Sequence, residues 1–257
     1  MNTTLITGAS SGIGAAFARK LAKRGRNVLL VARSEDKLIA LCNEIGRVSG
    51  IRAQYVAMNL TGTDASYRLF EETQKRELVI DMLINGAGFG SMGDFARLDP
   101  ARELEMIDLN VKSLVELTYT FLRPMRERRQ GTIINVASTA GFQAVPFMAT
   151  YAATKAFVLS FSEALWEENR THGIHVLTLC PGVTDTNFFA ASKIDRPPMR
   201  TVQTPEEVVD AALRGMARGK SMVITGWANW LTVEIQRFVP RSLVARFVGK
   251  TLRSRFE

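Results

Sequence analysis

Short runs of β-branched and apolar residues recur along the chain, separated by longer stretches whose apolar positions follow a helical period. The first runs are Leu5-Ile6-Thr7, Val28-Leu29-Leu30-Val31 and Ala53-Gln54-Tyr55-Val56. Met82-Leu83-Ile84, Thr132-Ile133-Ile134-Asn135-Val136, His175-Val176-Leu177-Thr178-Leu179 and Met222-Val223-Ile224 follow, each with room for a crossover helix before the next. Seven such strands predict a parallel sheet, and because most runs are apolar rather than alternating, both faces should be covered by helices. The expected fold class is therefore α/β, a doubly wound seven-stranded sheet. Two stretches break the rhythm, Gly86 to Pro100 and Cys180 to Pro205, the second carrying Pro197-Pro198. Both leave from strand ends, where open α/β sheets bind ligands.

The pattern changes after Ile224. We divide the chain into a main unit over residues 1–226 and a C-terminal extension of the same domain over 227–257. In the extension Leu231, Ile235 and Phe238 stand at helical spacing, then Pro240, then Leu243, Val244, Phe247, Val248 and Leu252. Arg237, Arg241, Arg246, Lys250, Arg253 and Arg255 accompany them against few acids. Such a segment suits packing on its own domain or on a partner subunit, the reading favoured here, and also a membrane surface.

Composition narrows the partners. A formal charge of +8 suits an anionic partner, but the cations are scattered over helix faces without interleaved aromatics, which argues against nucleic acid. The two cysteines, Cys42 and Cys180, form neither a disulfide framework nor a metal-ligand spacing, and His172 and His175 have no clustered acids or thiols, so no metal is expected. Met1 runs straight into strand-like sequence without an export signal, and no stretch offers the ~18 uninterrupted apolar residues of a membrane span; a cytoplasmic protein is expected.

The first strand ends in Thr7-Gly8-Ala9-Ser10-Ser11-Gly12-Ile13-Gly14 and passes into a helix closed by Gly25. A glycine-rich turn between strand and helix predicts a dinucleotide site in preference to a plain structural turn. Gly8 permits the tight turn, Gly12 lets the backbone approach a pyrophosphate, Gly14 lets helix and strand pack closely, and the helix amides face the anion. About twenty residues on, where an NAD site places an acid, stands Arg33 followed by Ser34. A guanidinium can pair with a phosphate that a carboxylate would repel, so NADP(H) is expected over NAD. The alternative is a solvated arginine at a helix start, with Glu35 and Asp36 as partners.

Tyr151-Ala152-Ala153-Thr154-Lys155 begins another helical stretch, stacking a phenol and an ammonium on one face. A free tyrosine titrates near ~10, and a cation beside it favours the phenolate. Ser138 ends the Thr132–Ala137 run at the same sheet edge, where its hydroxyl could hold a reacting oxygen.

In order and spacing, Thr7–Gly14, Asn85-Gly86-Ala87-Gly88, Asn110, Ser138, Tyr151–Lys155 and Pro181-Gly182 resemble the signature of the short-chain dehydrogenase/reductase family, over roughly residues 3 to 225. The similarity points to a Rossmann-type fold and to NADP-preferring reductases of ketoacyl and ketosteroid type. It implies that Tyr151 donates the proton to a carbonyl, that Lys155 lowers its pKa and binds the nicotinamide ribose, that Ser138 orients the substrate, and that Asn110 positions a water. It also implies cofactor contacts from Ser10, Ser11, Ile13, Asn85, Gly86 and Ala87, with Val183 and Thr186 on the carboxamide. Two positions depart from the family pattern: Gly86 replaces a second Asn, and Asn59-Leu60 stands where an acid precedes a small apolar residue, which implies weaker adenine contact. A dimer or tetramer through long helices, from about Pro100 to Arg129 and from near Tyr151, is implied as well.

Phe89, Met92, Phe142, Val145, Met148, Phe188 and Phe189 fall in loops expected around the reaction centre and suggest an apolar carbonyl or alcohol substrate. Alternative readings are a non-catalytic NADP-binding sensor or scaffold, and a lipid ketone reductase docked on a membrane by its tail. Cys180, beside Pro181, is read as a buried core residue rather than a reactive thiol.

Overall fold

In a computed structural model, which describes residues 2–186, 188 and 202–253, the chain builds one parallel sheet. Its strands are β1 (Asn2–Thr7), β2 (Asn27–Ala32), β3 (Ala53–Ala57), β4 (Val79–Asn85), β5 (Gly131–Val136), β6 (Ile174–Cys180) and β7 (Met222–Ile224). They lie in the order β3-β2-β1-β4-β5-β6-β7, as the doubly wound reading requires.

The register explains why the strands read as continuous apolar runs. One row crosses the sheet through Leu29, Leu5, Leu83, Ile133 and Val176, and the next through Leu30, Ile6, Ile84, Ile134 and Leu177. Successive side chains point to opposite faces, so each row belongs to a different core. The first packs against Leu69 of α3 (Ala65–Lys75) and Leu117 and Phe121 of α5 (Ser113–Arg128). The second packs against Phe17 and Leu21 of α1 (Gly12–Ala22), Leu38 of α2 (Glu35–Ser49) and Val209 and Leu213 of α7 (Pro205–Ala217).

The order reverses between β1 and β4. β1 is followed by a crossover to β2 on one side, and β4 returns on the other, so their carboxyl ends diverge into a crevice. α4 (Pro100–Ile107) and α5 run on through a π-helical turn at Asp108–Lys112, and α6 (Ala149–Asn169) flanks β5 and β6. The Gly86 to Pro100 stretch is irregular apart from a 3-10 turn at Phe95–Arg97. In the second irregular stretch a bridge joins Thr184 to Gln203, while Pro197-Pro198 lies outside the described residues.

The chain continues through α8 (Trp227–Gln236) and α9 (Arg241–Arg253). Among the described residues no helix is long and apolar enough to cross a membrane.

Candidate active site

Thr7, the last residue of β1, clips the two diverging strands together. Its hydroxyl accepts from the amides of Gly86 (3.0 Å) and Ala87 (3.1 Å) and donates to the carbonyl of Ile84 (3.3 Å). The chain then turns at Gly8 with φ +68°, a conformation that glycine adopts without strain. A methyl at Gly8 would stand 2.7 Å from the Gly86 carbonyl oxygen, and one at Gly14 would collide with the carbonyl oxygen of Gly8. Strand end, turn and helix start thus pack too closely for side chains at these positions. Gly8, Ser10, Ser11, Gly12, Ile13 and Gly14 line one wall of a cavity of about 590 Å³, and Gly86, Ala87 and Gly88 another.

Arg33, Asn59 and Leu60 also line this cavity. The alternative pairing of Arg33 with Glu35 and Asp36 is not formed: its guanidinium lies 3.5 Å from Glu105 of α4, while Glu35 accepts from the Tyr55 hydroxyl at 3.2 Å. The Arg33 side chain is two-thirds exposed, so that long pair holds it only loosely. Lys37, one helical turn on, faces the same cavity, a second cation that sequence reading missed. The Asn59 side-chain oxygen already accepts from the Thr61 amide (3.2 Å) and hydroxyl (3.0 Å), so both its lone pairs are used locally and the adenine contact expected of it has a competitor.

Asn85 is placed away from the cavity. It is buried, and its amide donates to Thr118 (3.0 Å) and to Asn135 (2.9 Å), which in turn donates to Ser162 of α6 at 2.9 Å. This polar chain ties β4 and β5 to α5 and α6 beneath the site. Asn110, inside the π-helical turn, is also buried and fully engaged. Its amide oxygen accepts from the Phe89 backbone (3.2 Å), and its nitrogen donates to the Phe89 carbonyl (2.9 Å) and Thr154 (3.1 Å). The side chain therefore pins the loop after β4.

Tyr151 and Lys155 share the inward face of α6, and both are buried at the cavity wall. Lys155 donates to the Val136 carbonyl at 2.8 Å, and its nitrogen stands 5.8 Å from the centre of the Tyr151 ring. Burial depresses the Lys155 ammonium to about 8. Burial pushes the Tyr151 phenol up to about 12, and a hydrogen bond with Ser138 opposes the rise. Desolvation is the larger influence on the phenol, and Ser138 counters it.

Ser138 follows β5 and begins the 3-10 turn Thr139–Phe142, where its hydroxyl accepts from Ala140 at 3.1 Å. Gly141 lets this turn lie directly on α6, since a methyl there would stand 2.7 Å from the carbonyl carbon of Lys155. That contact, also missed in the sequence, brings Ser138 against Tyr151.

Pro181, Gly182, Val183 and Thr186 complete the wall on the β6 side. Cys180 just before them is fully buried, and burial pushes its thiol far up, as expected of a core residue. Phe89, Met92, Val145, Met148 and Phe188 line the cavity, and the Phe188 and Tyr151 rings lie 5.3 Å apart. Phe142 does not line it; it packs beside Leu114 and Val158 in a separate cluster. Phe189 lies outside the described residues. Arg102, Gln143 and Leu252 join the lining, unanticipated. His175 bonds the Lys220 carbonyl at 2.9 Å, and among the described residues no cluster could hold a metal ion.

The glycine cradle, the adjoining cations and the buried phenol and amine on one crevice are the residues a nicotinamide dinucleotide requires, and the fit is steric as well as chemical. The sequence profile of the short chain dehydrogenase family matches residues 2–197, and the chain belongs to that family of nicotinamide-dependent oxidoreductases. It is 34% identical over 264 residues to very-long-chain 3-oxoacyl-CoA reductase of Macaca fascicularis, covering 96% of this chain and 82% of that one. It is 32% identical over 223 residues to ketoacyl reductase HetN of Nostoc sp., covering 86% and 77%. Among solved structures, a short-chain dehydrogenase from Sphingobium yanoikuyae in complex with NADPH superposes with a TM-score of 0.83 at 34% identity, covering 92% and 94%.

Proposed function

We propose that the protein reduces an apolar ketone to a secondary alcohol with NADPH, Tyr151 giving the proton. The observation that carries this reading is the meeting of buried Tyr151 and Lys155 with half-buried Ser138 on the wall that continues from the glycine turn. When bound, the nicotinamide supplies the hydride to the carbonyl carbon. Ser138 donates to the carbonyl oxygen and orients it, and Tyr151 passes its hydroxyl proton to that oxygen as the new C–H bond forms. With the phenol at about 12, Tyr151 is protonated at neutral pH, the form that reduction needs. Lys155 places its charge near the ring, where it favours the phenolate left behind. Asn110 acts through the Phe89 loop, whose ring and neighbours give the substrate side its apolar lining.

NADP rather than NAD is supported by Arg33 and Lys37 on the adenosine side, and by the NADPH held in the Sphingobium relative. An apolar acyl or alicyclic ketone is supported by Phe89, Met92, Met148 and Phe188, and by the 3-oxoacyl and ketoacyl substrates named for the relatives. Self-association through the long helices is supported by Leu104 and Ile107 of α4 and Tyr119 of α5, which stand exposed.

A panel of hydrophobic ketones with NADPH tests the reading. Turnover should fall about 10³-fold or more in Tyr151→Phe, while NADPH still binds with an affinity within a few-fold of wild type. A Tyr151→Phe protein that keeps a tenth of the activity overturns the assignment. Arg33→Ala combined with Lys37→Ala should raise the KM for NADPH about 10- to 100-fold and leave that for NADH unchanged, as expected for lost charge-assisted bonds of about 1.5–3 kcal/mol.

A further inference from the structure

Helix α8 turns its apolar stripe outward. Trp227, Trp230, Leu231 and Ile235 follow one another at spacings of three, one and four residues, which places them on one face of the helix, Phe238 stands in the turn that follows, and all are exposed, Trp227 by 79% and Phe238 by 88%. On the opposite side Val233 is buried and Asn229 donates to the Thr225 carbonyl at 2.7 Å. A contiguous outward stripe of this kind differs from scattered surface apolar residues and marks an interaction face.

Helix α9 continues the surface with cations. Its inner residues Val244, Ala245, Val248, Gly249 and Leu252 are buried or half-buried, and a methyl at Gly249 would stand 3.3 Å from Pro146. Leu243, Arg246, Phe247 and Lys250 form the outer stripe. From Trp227 to Arg253 there are five cations and a single acid, Glu234, which pairs with Arg237 at 2.9 Å. Among the described residues, Arg241, Arg246 and Lys250 enter no ion pair.

We propose that α8 and α9 dock the protein on an anionic lipid surface. Aromatic and aliphatic side chains enter the headgroup boundary, and Arg241, Arg246 and Lys250 meet lipid phosphates. The charge pattern selects this occupant over a second copy of the chain. A two-fold interface would set this acid-poor patch against itself, cation to cation. Because Leu252 of the same helix lines the cavity, the docked surface adjoins the substrate side of the site.

Sedimentation of the full chain with vesicles tests the proposal. It should pellet with vesicles of phosphatidylcholine containing about a third phosphatidylglycerol, bind phosphatidylcholine alone at least about 10-fold less, and weaken as salt shortens the Debye length. Trp230→Ser with Phe238→Ser, and separately Arg246→Glu with Lys250→Glu, should each reduce binding at least about 10-fold with an unchanged unfolding midpoint. Wild-type protein that stays in the supernatant with anionic vesicles at low salt overturns the proposal. So does equal binding to both vesicle types, or a solution dimer that the same substitutions dissociate while vesicle binding stays absent. Binding to an acidic protein without binding to vesicles overturns it equally. Taken with the proposed reductase activity, on which this last expectation rests, anionic vesicles should speed turnover of a bilayer-soluble ketone several-fold and leave a water-soluble ketone unaffected. No turnover of either ketone, with vesicle binding intact, counts against the reductase reading and not against docking.

Discussion

Helices α6 and α8 both reverse the usual rule of polarity, in opposite senses. α6 buries a phenol and an ammonium at Tyr151 and Lys155, whereas α8 exposes Trp227, Trp230, Leu231 and Ile235. The sheet itself obeys the rule, with apolar rows facing both cores. The two reversals differ in what compensates them. In α6 the Val136 carbonyl takes the Lys155 proton donor and Ser138 bonds the phenol, so desolvation is partly offset inside the protein. In α8 nothing among the described residues covers the stripe. Violations of local consistency of this kind concentrate at functional surfaces.

The comparison breaks most readily at Ser138. Ser138→Ala removes the bond that opposes the upward shift of the Tyr151 phenol. Ketone reduction should fall about 10²- to 10³-fold. Alcohol oxidation needs the phenolate, so the limb on which its rate rises with pH should move to higher pH; pH–rate profiles of both directions check this, and a limb moved toward lower pH contradicts the assigned role. Next in size is the cost of burying Lys155. Its ammonium titrates at about 8 in the folded protein against an ordinary 10.5, so the unfolded chain binds more protons between those values and stability rises with pH across that window. Lys155→Met should therefore stabilise the fold by about 1–3 kcal/mol at pH 7, with the gain shrinking as pH approaches the upper value. Denaturant unfolding at neutral and alkaline pH measures it, and a variant less stable at pH 7 shows that the Val136 bond outweighs desolvation. The smallest effects belong to α8 and the turn that follows it. Phe238→Ser should change stability by no more than about 0.5 kcal/mol, while Val233→Ala, one face round, should cost about 1–2 kcal/mol. Equal costs for the two would mean that the stripe is covered.

Much of the site was legible in the residues. Gly8, Gly12 and Gly14 can be read because a strand followed by such a turn has few other uses, and Tyr151 and Lys155 because helical spacing alone puts them on one face. Other parts depend on which elements become neighbours. Asn85 lies in a motif that implies cofactor contact, yet β5 brings Asn135 beside it and draws its amide into the interior. Phe142 sits next to cavity residues in the chain, but the turn after Ser138 swings it into a core cluster. The roles of Thr7, Gly141 and Leu252 at the site were not legible, because each acts across a contact between segments far apart in sequence.

Hydrophobic periodicity by itself determined the strands and helices, their alternation and hence the doubly wound class, since a period is a local property of the chain. Spacing likewise determined the glycine turn and the Tyr–Lys pair. Only the tertiary structure decided the protonation balance of that pair, the direction of Asn85 and Asn110, the second cation at Lys37 and the outward stripe of α8. Each of these is set by desolvation and contact, which exist only once distant segments pack together.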